Sequence, residues 1–450
     1  MKIALAHFRV GETDGVSLEM EKWKLALEKM GHEVLFLAGS GGQTSAYVIE
    51  ELYYMHPLNN KFVYNAYDRL MDYEDEESFK NDILLFTSKI EQKLMKFIEN
   101  EKIDVLIPNN ILSLGWGLPA AIAFYHVAEK MNITYLCHHH DFYWERERYS
   151  TPTCSFINDW LEQYFPPALD NVNHVVINKI AQDELIERRG ISSKVVPNVF
   201  DFDGKRWIVD DYNYDIRETL GLDEDDIIIL QATRITERKA IELGIDVVSE
   251  IQRQVKGMVG KKLYNGKKII PTTKVVYVLA GLPESMPRYL ELLKKKANQL
   301  DVDIRFVNER VDHSRRLENQ LKIYSLWDAY VIADFITYPS ILEGWGNQLL
   351  EGVFAKKPIV IYEYPVFQTD IADKEFMFTS LGGQHTVASN GLIEVPADKV
   401  VQAAQEIVRI LTDPTLYQTC TDHNFELGKR YYSYEALQQY LESVMKPLFA

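Results

Sequence analysis

The sequence has few cysteines, no long apolar run and a shortage of positive charge. Its three cysteines, Cys137, Cys154 and Cys420, show no CxxC spacing and leave an odd thiol. That pattern supports neither a disulfide framework nor a zinc site, and it suits a reducing compartment, so a cytoplasmic protein is expected. No stretch of about 18 apolar residues occurs, and no membrane span is expected. The opening run Met1–Phe8 is apolar but short, lacks a small-residue cleavage site and reads as a buried strand rather than a signal peptide. The formal net charge of −17 disfavours nucleic acid or an anionic bilayer as partner, and acidic residues outnumber basic ones within residues 1–200 as well. A dinucleotide fingerprint is missing too. Gly39-Ser40-Gly41-Gly42 follows a strand without completing G-x-G-x-x-G, which disfavours NAD-dependent oxidoreduction.

What is present has the balance of a packed protein, with 46 % hydrophobic and 26 % charged residues. A length of 450 residues exceeds one ordinary core and implies two or three domains. Short β-rich runs alternate with helical stretches. In the first half, strands are expected at Ile3–Phe8, Val34–Ala38, Val105–Pro108, Ile133–His138, Val175–Asn178 and Lys194–Pro197. Helices are expected at Ser17–Met30, Pro119–Met131 and Ala181–Arg189. A polar, turn-rich passage, Asn198–Gly204, reads as a linker. The second block has expected strands at Ile227–Ala232, Val275–Ala280, Ile304–Val307, Ala329–Ile332 and Ile359–Ile361. The Lys- and Gly-rich stretch Val255–Pro271 reads as a surface excursion. The fold class is therefore α/β: two Rossmann-like, doubly wound parallel-sheet domains facing across a cleft, at residues 1–200 and 201–430. Residues 431–450 add an amphipathic C-terminal helix free to pack back on the N-terminal domain. In such sheets ligands bind beyond the carboxyl ends of the strands, so the loops there hold the candidate chemistry.

The segment Asp334–Glu351 is the most informative. A strand leads into a loop with Glu343, Gly344, Trp345 and Gly346, and a helix starts near Asn347. The glycines let backbone approach a ligand, and the amides of a helix start suit a diphosphate. Glu351, one turn on, is within reach of ribose hydroxyls, and Glu343 sits where a sugar on that diphosphate would lie. Arg234 and Lys239 follow the first strand of the same domain, where two cations would neutralise a diphosphate and the charge of its departure. Solvated surface cations are the commoner fate of such residues.

Two glutamates separated by seven residues, in a Glu-Gly-aromatic-Gly-Asn context, resemble the signature of the retaining glycosyltransferases of family four. The resemblance implies the two-domain GT-B fold, with Glu343 contacting the transferred sugar and Glu351 the nucleotide ribose. Arg234 and Lys239 resemble the family's Arg-x-x-x-x-Lys diphosphate clamp, although Thr233 and Ala240 stand where the family often has glycine. Asp14-Gly15-Val16-Ser17 resembles its N-terminal glycine loop, which gives Gly15 a place near the donor diphosphate. A plain helix cap by Asp14 or Ser17 fits that segment equally. Val196-Pro197-Asn198-Val199-Phe200-Asp201 is similar to its hinge.

Cys137-His138-His139-His140-Asp141 invites a metal hypothesis. Neighbouring strand residues face opposite ways, however, and no spaced Cys or Asp completes a ligand set. The resemblance instead implies a histidine approaching the transferred sugar, assigned to His140 with His139 as the fallback, while His138 and its neighbours also suit core packing. Arg9, Tyr143, Trp144, Arg146 and Arg148 fall in loops of the first domain. They suit a small acceptor carrying a carboxylate or phosphate. A ladder of Arg146 and Arg148 with Glu145 and Glu147 is the plain alternative.

The expected function is thus retaining transfer of a hexose from a nucleotide-diphospho-sugar, GDP-mannose or UDP-glucose. The expected acceptor is a small soluble anion such as glucosylglycerate or glycerate, as in compatible-solute enzymes of the family. No essential metal or other cofactor is expected. The rival readings are a sugar-nucleotide epimerase of similar fold and a non-catalytic nucleotide-sugar-binding protein.

Overall fold

The computed structural model describes residues 1–12 and 14–449. Thr13, just ahead of the Asp14–Ser17 segment, and Ala450, the end of the expected C-terminal segment, lie outside the described residues. The chain divides into two compact units, Met1–Val199 with Tyr434–Ala450, and Phe200–Ser433.

The first unit is a seven-stranded parallel sheet. Its strands are β1 (Lys2–His7), β2 (Glu33–Ala38), β3 (Tyr47–Val48), β4 (Val105–Pro108), β5 (Thr134–His139), β6 (Val172–Val176) and β7 (Lys194–Val195), in the order β3-β2-β1-β4-β5-β6-β7. Its helices are α1 (Gly15–Lys29), α2 (Pro57–Tyr67), α3 (Glu76–Glu101), α4 (Leu118–Met131), α5 (Ser155–Tyr164) and α6 (Lys179–Arg189). Most strand residues are buried from end to end, because helices cover both faces of the sheet. On one face Met20, Trp23, Ala26 and Leu27 of α1 meet Ile3 and Leu5 of β1. On the other, Phe79, Ile83, Phe86, Ile90 and Leu94 of α3 pack with α4.

The second unit has a six-stranded parallel sheet. In chain order the unit contains β8 (Ile227–Gln231), β9 (Val275–Leu279), β10 (Asp303–Phe306), β11 (Val311–Asp312), β12 (Arg316–Glu318), β13 (Leu321–Ser325), β14 (Phe335–Tyr338), β15 (Ile359–Ile361), β16 (Thr379–Ser380), β17 (Thr386–Val387) and β18 (Ile393–Glu394). The main sheet runs β10-β9-β8-β14-β15-β16. The helices are α7 (Ile216–Thr219), α8 (Ile241–Val255), α9 (Pro287–Gln299), α10 (Leu326–Ile332), α11 (Asn347–Phe354), α12 (Ala397–Thr412) and α13 (Pro414–Tyr432). After α13, helix α14 (Tyr434–Met445) belongs to the first unit, where Leu437, Leu441, Val444 and Met445 join the α1 face of the core.

One expectation about elements is corrected. Ala329–Ile332 is not a strand but the end of α10, whose start is fixed by a capping box: Ser325 and Asp328 satisfy each other's backbone amides. Val255–Pro271 is the expected surface excursion, most of its residues being exposed, but it is pinned at a few points. Leu263 and Ile269 are buried, and Tyr264 stacks on Tyr417 at 3.7 Å while its hydroxyl donates to Asp334 at 2.9 Å.

Candidate functional site

In both units the side chains singled out above lie at carboxyl ends of strands beside the point where strand order reverses. That point falls between β8 and β14 in the second unit and between β1 and β4 in the first.

In the second unit the chain leaves β14 and brings Glu343 to a buried position, 8 % exposed. The loop after β8 closes in a short 3₁₀ turn, Glu237–Lys239, which aims two cations at that carboxylate. Lys239 Nζ donates to Glu343 Oε1. Arg238 Nη1 donates to Glu343 Oε2 at 2.9 Å and to Leu342 O at 3.1 Å. Burial by itself would raise the Glu343 carboxyl. The neighbouring charges of Lys239 and Arg238 outweigh it and hold the group below its ordinary value. Burial also draws the Lys239 ammonium below its ordinary value, against the pull of Glu343. Arg238 was not among the expected residues. An arginine beside a lysine in a loop carries no spacing signal, and only the 3₁₀ turn shows that both reach one carboxylate.

Buried polar groups hold this loop in place. Gln231 Nε2 donates to Lys239 O at 3.2 Å and to Thr233 Oγ1 at 3.1 Å, while Tyr277 Oη and Thr337 Oγ1 donate to Gln231 Oε1. Gly281 lies so close that a Cβ there would sit 1.9 Å from Thr233 O. Ala240, which follows Lys239, has a left-handed backbone with φ 43°. Arg234 is 56 % exposed and paired with Glu284 at 2.8 Å, and its charge adds to the forces that lower the Lys239 ammonium.

Helix α11 begins at Asn347 with Gly346 as its cap, at φ 133° and therefore without a side chain over the first turn. A Cβ at Gly346 would lie 2.5 Å from Tyr364 Oη, which donates to Trp345 O at 2.8 Å. Trp345 is 4 % exposed and its ring packs edge-on against Tyr432 at 5.3 Å, so the ring is committed to the interior. Gly344 is exposed. Glu351 accepts a hydrogen bond from Tyr330 Oη at 3.0 Å, which orients it from α10.

In the first unit four histidines and Asn109 gather at the ends of β1, β4 and β5. His7 Nδ1 lies 2.8 Å from Asn109 O, His138 Nδ1 3.0 Å from Asn109 Oδ1, and His140 Nε2 3.3 Å from the same oxygen. His139 turns the other way and meets His174 at 2.9 Å. Burial pushes His7 and His140 down to about 4 and His138 and His139 well below the ordinary imidazole value, so all four are neutral at pH 7. Neighbouring Asn110, at φ 56°, accepts the His140 amide at 2.7 Å and the Asp141 amide at 3.2 Å. The pair Asn109-Asn110 was missed by sequence reasoning, since asparagines after a strand are silent without their partners.

The other first-unit candidates already carry partners. Asp14 caps α1, accepting from the amides of Val16 and Ser17, both at 3.1 Å, so the first turn behind Gly15 has its amides satisfied by a carboxylate. Arg9 pairs with Glu12 at 3.0 Å and Asp14 at 3.1 Å and lies over Tyr54, which makes it a strut of the same loop. Arg146 pairs with Asp141 at 3.0 Å and Arg148 with Asp68 at 2.8 Å, in place of the ladder with Glu145 and Glu147. Trp144 stacks on Phe142 at 4.3 Å and donates to Glu184 at 2.8 Å. Tyr143 is half-buried, its amide held by Ser113 O at 2.8 Å. Among the described residues no group of three or more His, Cys, Asp or Glu side chains is disposed to hold a metal ion, and no helix is long and apolar enough to cross a membrane.

Comparison with known proteins matches residues 213–426 to the family "Glycosyl transferases group 1". The chain is 44 % identical over 429 residues to the mannosylglucosylglycerate synthase of Petrotoga mobilis, covering 95 % of this chain and 97 % of that one. It is 40 % identical over 450 residues to the mannosylglucosylglycerate synthase of Thermotoga maritima, covering 99 % and 100 %. Among solved structures, a glycosyltransferase from Rickettsia africae superposes with a TM-score of 0.60 at 14 % identity, covering 99 % of this chain and 98 % of that one. The two parallel-sheet units are those of the GT-B fold.

Proposed function

The chain belongs to the group 1 glycosyltransferases, and from that premise we propose that it moves a mannosyl group from GDP-mannose to glucosylglycerate with retention of configuration. UDP-glucose as donor and glycerate as acceptor are the nearest variants of the same reading. Full-length similarity to two mannosylglucosylglycerate synthases is the observation that carries it.

The chemistry follows from charge. Departure of a nucleoside diphosphate requires cations at the leaving oxygens. Lys239, Arg234 and the start of α11 supply them from the chain itself, so no metal is assigned a role. Arg238 joins this set. Glu343 is held by Arg238 and Lys239 below its ordinary value, which makes it a weak base and a weak nucleophile. Its part is to accept hydroxyl hydrogen bonds of the transferred sugar and to offset positive charge on the sugar ring. That agrees with same-face attack and no covalent protein intermediate. Glu351 serves the ribose and His140 a sugar hydroxyl. Arg146 and Arg148 exchange a carboxylate partner, Asp141 or Asp68, for the glycerate carboxylate. Nucleotide sugars are cytoplasmic metabolites, and the reaction is assigned there.

The test is a product assay with GDP-mannose or UDP-glucose against glucosylglycerate or glycerate, with the anomeric configuration of the product read by NMR. A mannoside of retained configuration from GDP-mannose and glucosylglycerate is expected, unchanged by a chelator. Conversion of the sugar nucleotide without any acceptor would replace this reading with epimerisation.

A further inference from the structure

The proton positions of three histidines in the first unit, His7, His138 and the half-buried His140, follow from one side chain. Asn109 is 1 % exposed, and its Nδ2 faces two backbone carbonyls, Ile107 O at 3.1 Å and Ala6 O at 3.5 Å. Carbonyls only accept, so the amide nitrogen is committed to that side and Oδ1 to the other. On the other side stand His138 Nδ1 at 3.0 Å and His140 Nε2 at 3.3 Å. An amide oxygen only accepts, so each of these ring nitrogens carries its proton. The backbone carbonyl of the same residue fixes a third ring, since His7 Nδ1 lies 2.8 Å from Asn109 O and donates to it. A neutral imidazole has one N–H, so the remaining nitrogens, Nε2 of His7 and His138 and Nδ1 of His140, are bare lone pairs. His138 is further locked by stacking on Trp23 at 4.2 Å, and its Nε2 is buried without a partner.

We propose that Asn109 is a positioning residue that sets the tautomer of His140, so that His140 presents an unprotonated Nδ1 to a hydroxyl of the transferred sugar. The inference rests on the reading of His140 as a sugar contact. With the tautomer fixed, the sugar hydroxyl must donate to the ring, and its own lone pairs stay available to other donors. The opposite tautomer would offer an N–H and demand the reverse orientation. The main chain is held by the next residue, because Asn110 Oδ1 accepts the amides of His140 and Asp141. Two adjacent asparagines thus divide the work, Asn110 placing the backbone of His140 and Asn109 its proton. Nothing in the sequence shows this, because the partners come from β1, β4 and β5.

The experiment is ¹⁵N NMR of the full-length protein labelled at histidine nitrogens, at about pH 7.5. His140 is expected with a protonated Nε2 and a pyridine-like Nδ1; a protonated Nδ1, or averaged shifts, would overturn the proposal without any variant. Asn109→Leu is expected to leave His140 with averaged or inverted shifts. Asn109→Asp supplies a second test. Its carboxylate keeps an acceptor for both rings but favours imidazolium, against the background of His7, His138, Arg9, Asp14 and Asp141. The acidic limb of the kcat–pH profile should move up by about one on the pH scale or more, and an unmoved limb in folded Asn109→Asp would overturn the proposal. Failure of the functional reading reads out separately, as absence of transfer by the wild-type enzyme whatever the His140 tautomer.

Discussion

Lys239 and Glu343 form a buried ion pair in which both side chains are almost sealed from water, 3 % and 8 % exposed. The loop after β8 and the loop after β14 are joined there by opposite charges rather than by apolar contact. Removing one member leaves the other charge buried and under-compensated, which typically costs about 3–5 kcal/mol. Lys239→Met should therefore lower the thermal midpoint and cut kcat by roughly 10²-fold or more, as expected for a lost electrostatic stabiliser. The double variant Lys239→Met/Glu343→Leu should recover stability without recovering activity, since the one charge left without its partner, Arg238, is 38 % exposed and solvated. Calorimetry and initial rates on the same samples check this, and a double variant as unstable as Lys239→Met would contradict it.

Ala240 occupies a left-handed position directly after Lys239. For a residue with a Cβ that conformation costs about 1–2 kcal/mol relative to the right-handed one. Replacing it with glycine relieves this strain but adds chain entropy worth roughly 0.5–1 kcal/mol to the unfolded state. Ala240→Gly should therefore be neutral to stabilising by up to about 1 kcal/mol, with kcat retained. Ala240→Val, β-branched, should destabilise and loosen the Lys239–Glu343 contact. Urea unfolding of the two variants decides the sign.

The loop and helix start that make up much of the candidate site were legible in the sequence, and the side chains that were not depend on partners distant along the chain. The Glu343–Glu351 spacing, the glycines and the helix start all lie within one segment, so local order carried them. Arg238 and Asn109 were not legible because their roles depend on partners about 100 and 30 residues away, across parallel strands whose pairing is not written locally. Ala329–Ile332 failed for a different reason. An apolar run of four residues suits a strand or a buried helix equally, and the Ser325-x-x-Asp328 capping signal upstream was the feature that could have decided it. Arg146 and Arg148 fell on the expected loop, but the carboxylates they meet come from Asp141 and from Asp68 in a region with little readable pattern.

Gly281 tests how the cation-bearing loop is placed. A methyl group there would lie 1.9 Å from Thr233 O, so the backbone of the loop between β8 and Lys239 must shift. Displacements on the order of 1 Å can cost about 10²-fold in rate when they move catalytic groups. Gly281→Ala should thus impair transfer at saturating acceptor and raise the KM for the sugar nucleotide. The KM for the acceptor should stay near its wild-type value. Equal effects on both KM values would mean that the change spreads beyond this loop.

The histidines of the first unit predict how stability depends on pH. His7, His140 and His174 are pushed down to about 4 from an ordinary value of 6.5, in each case chiefly by burial. Below pH 6.5 the unfolded chain takes up protons that the folded chain refuses, so stability is full above that value and falls as pH drops toward 4. For an isolated group, a tenfold weaker hold on the proton corresponds to about 1.4 kcal/mol, and interaction among these neighbours reduces the sum. Glu145 acts in the opposite direction. Although the residue is exposed at the surface, desolvation of its carboxyl, with the Asp141 and Glu184 carboxylates nearby, pushes it up to about 7, so the folded state holds its proton more tightly and gains stability as pH falls from 7 toward 4.5. The two slopes separate in a Glu145→Gln background, which should be more stable than wild type at about pH 8 and should show the histidine slope alone. Adding His7→Gln and His140→Gln should then flatten the stability curve between about pH 6.5 and 4, measured by urea unfolding across that range. A slope unchanged by those substitutions would assign the acid sensitivity to carboxylates instead.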